Sequence, residues 1–175
     1  MARDQLTMVH RDLGALPEMQ VPEGYGLRTY LPGDERAWAD IMNTGVGEWD
    51  ARTAREKLTG MPQFEPDGLF FATFGGRPVG SACAWRKDAG ERRTGSLHMV
   101  CVLPEHRGKQ VGYALTLAVL HWFRGRGYEE VTLSTDDFRI PAIKSYLRLG
   151  FEPVIPDDSH RARWDAVLEA AGPKE

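Results

Sequence analysis

The sequence predicts a mixed α/β (α+β) fold in which helices flank a largely antiparallel sheet of about six strands. Three observations predict it. Between residues 69 and 102, three strand-like apolar runs are separated by two glycine-bearing turns, Gly75-Gly76 and KDAGER around Gly90, which is the pattern of a meander. A long apolar stretch follows with helical spacing, carrying Val111, Leu115, Ala118 and Trp122 on one face. Beyond it lie a strand-like run, a short helix-like segment and a second strand-like run. The resulting order is strand, two helices, three-strand meander, helix, strand, helix, strand.

Each element has a local cause. Residues 1–24 carry Pro17 and Pro22 with weak periodicity and read as an N-terminal arm, ordered in part against one domain covering residues 25–175. Residues 27–30 form a short first strand, closed by Pro32-Gly33. Asp34 suits a helix cap before Ala37, Trp38, Ile41 and Met42. The two glycines in residues 43–53 indicate a loop, and residues 53–58 a second short helix. Prolines make residues 61–68 a loop. The meander strands are Leu69–Phe74, residues 79–85 and Thr94–Val102. A helix is expected over residues 108–124, apolar beyond one stripe and so deeply packed, with Gly125 or Gly127 as its stop. Glu130–Thr135 is the next strand, residues 141–149 a helix opened by Pro141, and residues 151–155 the last strand. Asp158 or Ser159 would cap a final helix bearing Trp164, Val167 and Leu168.

Composition narrows the function. The chain has 175 residues, is 42% hydrophobic and 27% charged, and has a formal net charge of −3. That balance opposes a broad nucleic-acid-binding surface, and no stretch has the length and apolarity of a membrane span. Cys83 and Cys101 sit in strand-like runs and read as small core residues in a reducing cytosol, with a disulfide as the other reading. The five histidines are scattered without ligand spacing, so no metal is expected.

The segment VCVLPEHRGKQVGYALTLAVL, residues 100–120, carries the chemistry. A strand ends at Pro104, a basic loop follows (His106, Arg107, Gly108, Lys109), and a helix begins near Gly112. Free backbone N–H groups and the positive helix end make such a junction a phosphate site. The residues do not spell G-x-x-x-x-G-K-[ST] or G-x-G-x-x-G, which argues against a kinase-type or dinucleotide fold. Val102, Pro104, Arg107, Gly108 and Gly112 resemble the acyl-CoA-binding motif of the GNAT superfamily of N-acetyltransferases, with Gln110 where that family usually carries glycine. A second segment agrees: Ala142, Tyr146, Gly150 and Phe151 match N-x-x-A-x-x-x-Y-x-x-x-G-F in type and spacing, with Arg139 in place of the asparagine, where it either reaches a phosphate or pairs with Asp136 or Asp137. Two motifs in the right order are far more specific than either one. The resemblance covers about residues 25–155; the family usually adds a seventh strand, where this chain has the helix-like HRARWDAVLEAA.

The resemblance implies a GNAT-like sheet whose fourth and fifth strands splay apart and a cytoplasmic N-acetyltransferase that uses acetyl-CoA as acyl-donor substrate. Its acceptor would be an amine of a small molecule or peptide, and a homodimer is within the family's range. The donor would be held by Val100, Cys101 and Val102 on the fourth strand, by Arg107, Gly108, Lys109, Gln110, Val111, Gly112 and Tyr113 at the loop and helix start, and by Arg139. Because of its Cβ, Gln110 is expected to keep a negative φ. Tyr146 matches the position that protonates the departing thiolate, and a backbone N–H near Val100 the position that binds the oxyanion. The fourth strand carries no carboxylate. His98 is one candidate base, since an unperturbed imidazole titrates at about 6.5; a packed histidine is the other reading. Glu48 and Asp50 in the glycine-containing loop are alternatives, or simply solvated. Trp49, Trp85 and Phe64 line either an acceptor pocket or the core. A non-catalytic acyl-CoA-binding module on the same scaffold is the second functional reading.

Overall fold

The computed structural model describes residues 4–173; the outermost parts of the predicted arm and domain, residues 1–3 and 174–175, lie outside the described residues. The strands are β1 (Leu6–His10), β2 (Tyr25–Thr29), β3 (Leu69–Phe74), β4 (Arg77–Trp85), β5 (Thr94–Val102), β6 (Glu130–Thr135) and β7 (Glu152–Pro153). The helices are α1 (Glu35–Met42), α2 (Ala51–Ala54, continued by the π-type turn Arg55–Thr59), α3 (Val111–Gly125), α4 (Ile140–Arg148) and α5 (Asp158–Ala171). All seven strands form one sheet in the order β2-β3-β4-β5-β6-β1-β7. Every pairing is antiparallel except β5 with β6.

The meander forms as its sequence dictates. Gly75 and Gly76 both have positive φ (56° and 78°), which a two-residue hairpin with the right strand twist requires. The sheet then buries both faces. Leu115, Leu120 and Phe123 of α3, Ile143 of α4 and Trp164 of α5 pack with Ala82, Ala84 and Leu97 on one side. On the other, Trp38, Ile41 and Met42 of α1 and Leu58 pack with Leu69, Phe71, Cys83 and Cys101. Both cysteines are buried and free.

Four expectations need correction. The ordered part of the predicted arm does not merely lie against the domain: β1 is a strand of its sheet, between β6 and β7. Four of its five residues are buried, so it lacks the one-sided alternation that marks a strand from sequence. The expected strand over residues 151–155 shrinks to Glu152–Pro153, because Pro153 cannot donate to a ladder and survives only at an edge. No strand follows it among the described residues; α5 occupies that stretch, capped by Asp157 rather than Asp158 or Ser159, through its bond from the His160 N–H (2.9 Å). Asp34 also does not cap α1 with its side chain. It takes two bonds from Arg28 (2.7 and 2.9 Å) and one from the Leu31 N–H.

Candidate active site

The parallel pair β5–β6 holds together only over residues 94–96 and 130–132. Thr94 Oγ1 donates to Glu130 Oε1 (3.0 Å) at this closed end, and Gly95 admits the Phe123 ring so closely that any added Cβ would collide with it. Farther along, the strands part. The cause is a bulge in β5. Ser81 faces Cys101 and Cys83 faces His98, so two residues of β5, Met99 and Val100, oppose the single Ala82 of β4. Met99 takes a left-handed φ of 55° there. A bulge bends its strand and disrupts the ladder beside it.

The opening leads into a cleft of about 1030 Å³, walled by β5, the loop before α3, the start of α3, and α4. Past the end of β5, Leu103 N–H bonds Val79 O and the 3-10 turn Pro104–His106 redirects the chain. Gly108 and Gln110 both then adopt left-handed backbone, with φ of 72° and 63°. This corrects the expected negative φ at Gln110 and delays the helix start from residue 108 to Val111. Left-handed residues in a tight loop turn successive N–H groups to the same side, which makes an anion-binding concavity. Ala114 N–H is the first to find an intrahelical acceptor, Gln110 O, while the amides of residues 108–113 find none among the described residues.

Gly112 tests whether this cradle fits a phosphorylated ligand. A Cβ built there meets only Val102 Cγ2, at an ordinary 3.8 Å, and the backbone is not left-handed. Neither packing nor conformation demands glycine, and glycine in a helix costs about 1 kcal/mol relative to alanine. The requirement therefore points outward, to something that approaches the backbone closely. Charge agrees. Arg107, Arg139, Lys144 and Arg148 line the cleft, and no Asp or Glu does among the described residues, although the whole chain carries −3.

Of the predicted donor-binding residues, the structure brings Val100, Cys101, Val102, Arg107, Gly108, Gln110, Val111, Gly112, Tyr113 and Arg139 to this one cleft. Lys109 is exposed beside it. Arg107 faces a different way from that expected of a phosphate ligand, and Arg139 takes the second of its two readings, pairing with Asp136. Arg107 turns inward, its Nε donating to Val102 O (2.8 Å) and its Nη2 to Thr44 O and Oγ1 (3.2 and 3.3 Å). Arg139 donates to Asp136 (2.8 Å) and, across the cleft, to Gly45 O (2.9 Å). Its bond holds the Asp136 carboxyl below the usual range, against the opposing effect of burial. Both guanidinium groups thus fix the loop after α1, to which Cys101 Sγ also comes close at Thr44 Oγ1 (3.5 Å).

Tyr146 lines the cleft, is 8% exposed, and packs edge-on against Phe151. Burial pushes its phenol up to about 12, with the nearby Arg139 charge pulling the other way. It therefore keeps its proton throughout the neutral range. The candidate bases sit elsewhere. His98 does not line the cleft; it stacks on Trp85 (centroids 5.3 Å apart, 24° between planes), opposite Cys83. Burial pushes its imidazole down to about 4. Glu48 is exposed and does not line the cleft. Asp50 caps α2 in a reciprocal box with Thr53. Trp49 packs edge-on against the buried Trp38, and Phe64 against Tyr30.

The His98 shift carries a stability prediction. Unfolded, its imidazole titrates near 6.5; folded, near 4. Between these values the unfolded chain binds more protons, so stability is full above about pH 6.5 and falls as the pH drops toward 4. The loss is up to about 3 kcal/mol. In His98→Phe the urea midpoint is expected to depend less on pH across this window. An unchanged dependence would show that the acid sensitivity arises at another group.

Sequence reasoning missed Thr44, Gly45, Lys144 and Arg148 as cleft residues. Lys144 and Arg148 carried a readable signal, because they flank Tyr146 at i, i+4 spacing inside the second motif. Thr44 and Gly45 became functional neighbours only through arginines that lie 63 and 94 residues away.

Comparisons with known proteins complete the site. The sequence profile of the Acetyltransferase (GNAT) family matches residues 35–151. A mycothiol acetyltransferase of Streptomyces bingchenggensis is 34% identical over 169 residues, covering 90% of this chain and 54% of that protein. One from Thermomonospora curvata is 36% identical over 143 residues, covering 78% and 47%. The chain thus spans about half the length of the curated relatives it matches. Among solved structures, a GCN5-related N-acetyltransferase from Sphaerobacter thermophilus superposes with a TM-score of 0.72 at 24% identity, over 87% of this chain and 50% of that one. A Mycobacterium tuberculosis protein in complex with CoA superposes with a TM-score of 0.60 at 19% identity, over 83% and 87%. With its diverging strands and free-amide loop inside the matched residues, this chain belongs to the GNAT acetyltransferase family.

Proposed function

We propose that this chain is an acetyl-CoA-dependent N-acetyltransferase that moves the acetyl group directly to a primary amine of a small molecule or peptide. The observation that carries the reading is the cleft at the β5–β6 divergence: a strand-lined slot opens beside a cationic wall and the amides of residues 108–113, unpaired among the described residues. Acetyl-CoA has a matching layout, with a pyrophosphate for the amides and an amide-rich arm that can add to the open edge of β5. In the transfer, the neutral amine adds to the acetyl carbon, and the carbonyl oxygen becomes an oxyanion for which the backbone at the Met99–Val100 bulge is the candidate donor. As the carbonyl re-forms, the carbon–sulfur bond breaks and Tyr146 Oη–H gives its proton to the departing sulfur, while the nitrogen loses one proton to solvent, from which Tyr146 is reprotonated. Neither His98 nor Glu48 lines the cleft, so a proton removed by either passes through solvent. The two free, buried thiols accord with a reducing cytoplasmic setting, and no helix among the described residues is long and apolar enough to cross a membrane.

The test is thiol release from acetyl-CoA across an amine panel: amino sugars, peptide N-termini, and an amine of the mycothiol type, after the name of the relatives. Acceptor-dependent release supports the enzyme. The absence of any carboxylate on the cleft wall, among the described residues, favours the second reading, an acyl-CoA-binding module. CoA binding without acceptor-dependent release from any amine would establish that reading instead. Light scattering of the same preparation separates a homodimer from a monomer.

A further inference from the structure

Gln110 stands in left-handed backbone, which costs a non-glycine residue roughly 1–2 kcal/mol. Its side chain is put to use. Gln110 Oε1 accepts from Arg148 Nη1 at 3.0 Å, tying the last turn of α4 to the amide loop. The Arg148 guanidinium also lies 4.9 Å from the centre of the Tyr113 ring. Oriented by an amide on one side and an aromatic face on the other, it has a fixed direction while remaining exposed at the cleft. Lys144, one turn earlier on the same face of α4, is exposed at the cleft as well. Neither makes an ion pair with a carboxylate among the described residues. Arg107 and Arg139, in contrast, are committed to Val102, Thr44, Gly45 and Asp136.

The cleft therefore offers two anion sites of different kinds. The amides of residues 108–113 supply dipoles to one phosphate group. Arg148 and Lys144 supply formal charge beside them, suited to a doubly charged phosphomonoester, which arginine grips with paired N–H donors. We propose that Arg148, assisted by Lys144, binds the ribose phosphomonoester of the donor and so selects CoA over dephospho-CoA. This rests on the acetyl-CoA reading above and adds to it a specificity site created by Gln110 and Arg148.

The experiment is calorimetric titration of the purified chain with CoA and with dephospho-CoA, which differ only in that phosphate. Wild type is expected to prefer CoA by about ten- to a hundredfold, the usual worth of a charge-assisted contact. Arg148→Met should weaken CoA by about ten- to a hundredfold and dephospho-CoA by much less, the smaller shared loss coming from the freed Gln110 side chain, with a thermal melt showing that the variant folds. Lys144→Met should reproduce a smaller part of the loss. The preference should shrink as salt rises. Equal wild-type affinity for the two ligands, or an Arg148→Met loss shared equally by both, overturns the proposal while leaving the donor reading intact. If wild type binds neither ligand, the donor reading itself fails and the proposal falls with it.

Discussion

Gly112→Trp is expected to abolish CoA binding, a loss of at least about a hundredfold if only two charge-assisted amide contacts are displaced. The amides of residues 108–113 have no acceptor within the described chain, so whatever they bind must come close to the backbone of Val111–Gly125 at its first turn. An indole at residue 112 fills that approach. Folding is not expected to suffer first, since the protein places only Val102 Cγ2 within 4 Å of a Cβ at this position. Gly112→Ala sharpens the experiment. On propensity alone it should raise stability, by up to about 1 kcal/mol, while weakening CoA binding. A substitution that stabilises the chain and weakens its ligand identifies a glycine kept for the ligand. Thermal melts and calorimetry of both variants supply the measurement. Undiminished CoA affinity in Gly112→Trp would remove the loop from the donor site.

The features legible in the sequence were those set by local chemistry. Gly75-Gly76 forced a hairpin, and Pro104, Gly108 and Gly112 marked the junction between β5 and α3. Ala142, Tyr146, Gly150 and Phe151 marked α4 and its stop. Where tertiary context decided, the sequence was silent. The strand β1, buried on both faces, shows little alternation, and its partners β6 and β7 lie more than 120 residues downstream. The left-handed Gln110 ran against the ordinary preference of a residue with a Cβ; it became intelligible only with Arg148 beside it. The bulge at Met99–Val100 has no glycine to announce it, yet it re-aims the strand at the site. The position of His98 on β5 was readable, but its role was not. Its neutrality follows from burial and from Trp85 in the neighbouring strand. Arg107 looked like a phosphate ligand because of its place in the loop. Its side chain instead braces the loop after α1, since Val102 O and Thr44 lie within reach on the inner side.

Tyr146→Phe is expected to lower kcat by about a hundredfold or more, the usual contribution of a positioned acid, with CoA affinity changed by less than about twofold. The substitution removes one oxygen and keeps the ring, so packing against Phe151 and burial in the α4 face of the core are preserved. With the phenol pushed up to about 12 by burial, wild-type Tyr146 stays protonated far above neutrality. A fall in rate on the alkaline side, between roughly pH 8 and 10, must then come from another group and should persist in the variant. A buried phenol of that pKa suits a thiolate only if the proton moves as the carbon–sulfur bond breaks, because a free thiolate, with a thiol pKa of about 8.5, is too weak a base to take it. The donation must therefore belong to the transition state. Loss of the hydroxyl should lower kcat and kcat/KM for the acceptor together, and a donor with a more acidic leaving thiol should recover part of the rate in Tyr146→Phe. If kcat is unchanged, Tyr146 is a packing residue of α4 and the departing sulfur finds its proton in solvent.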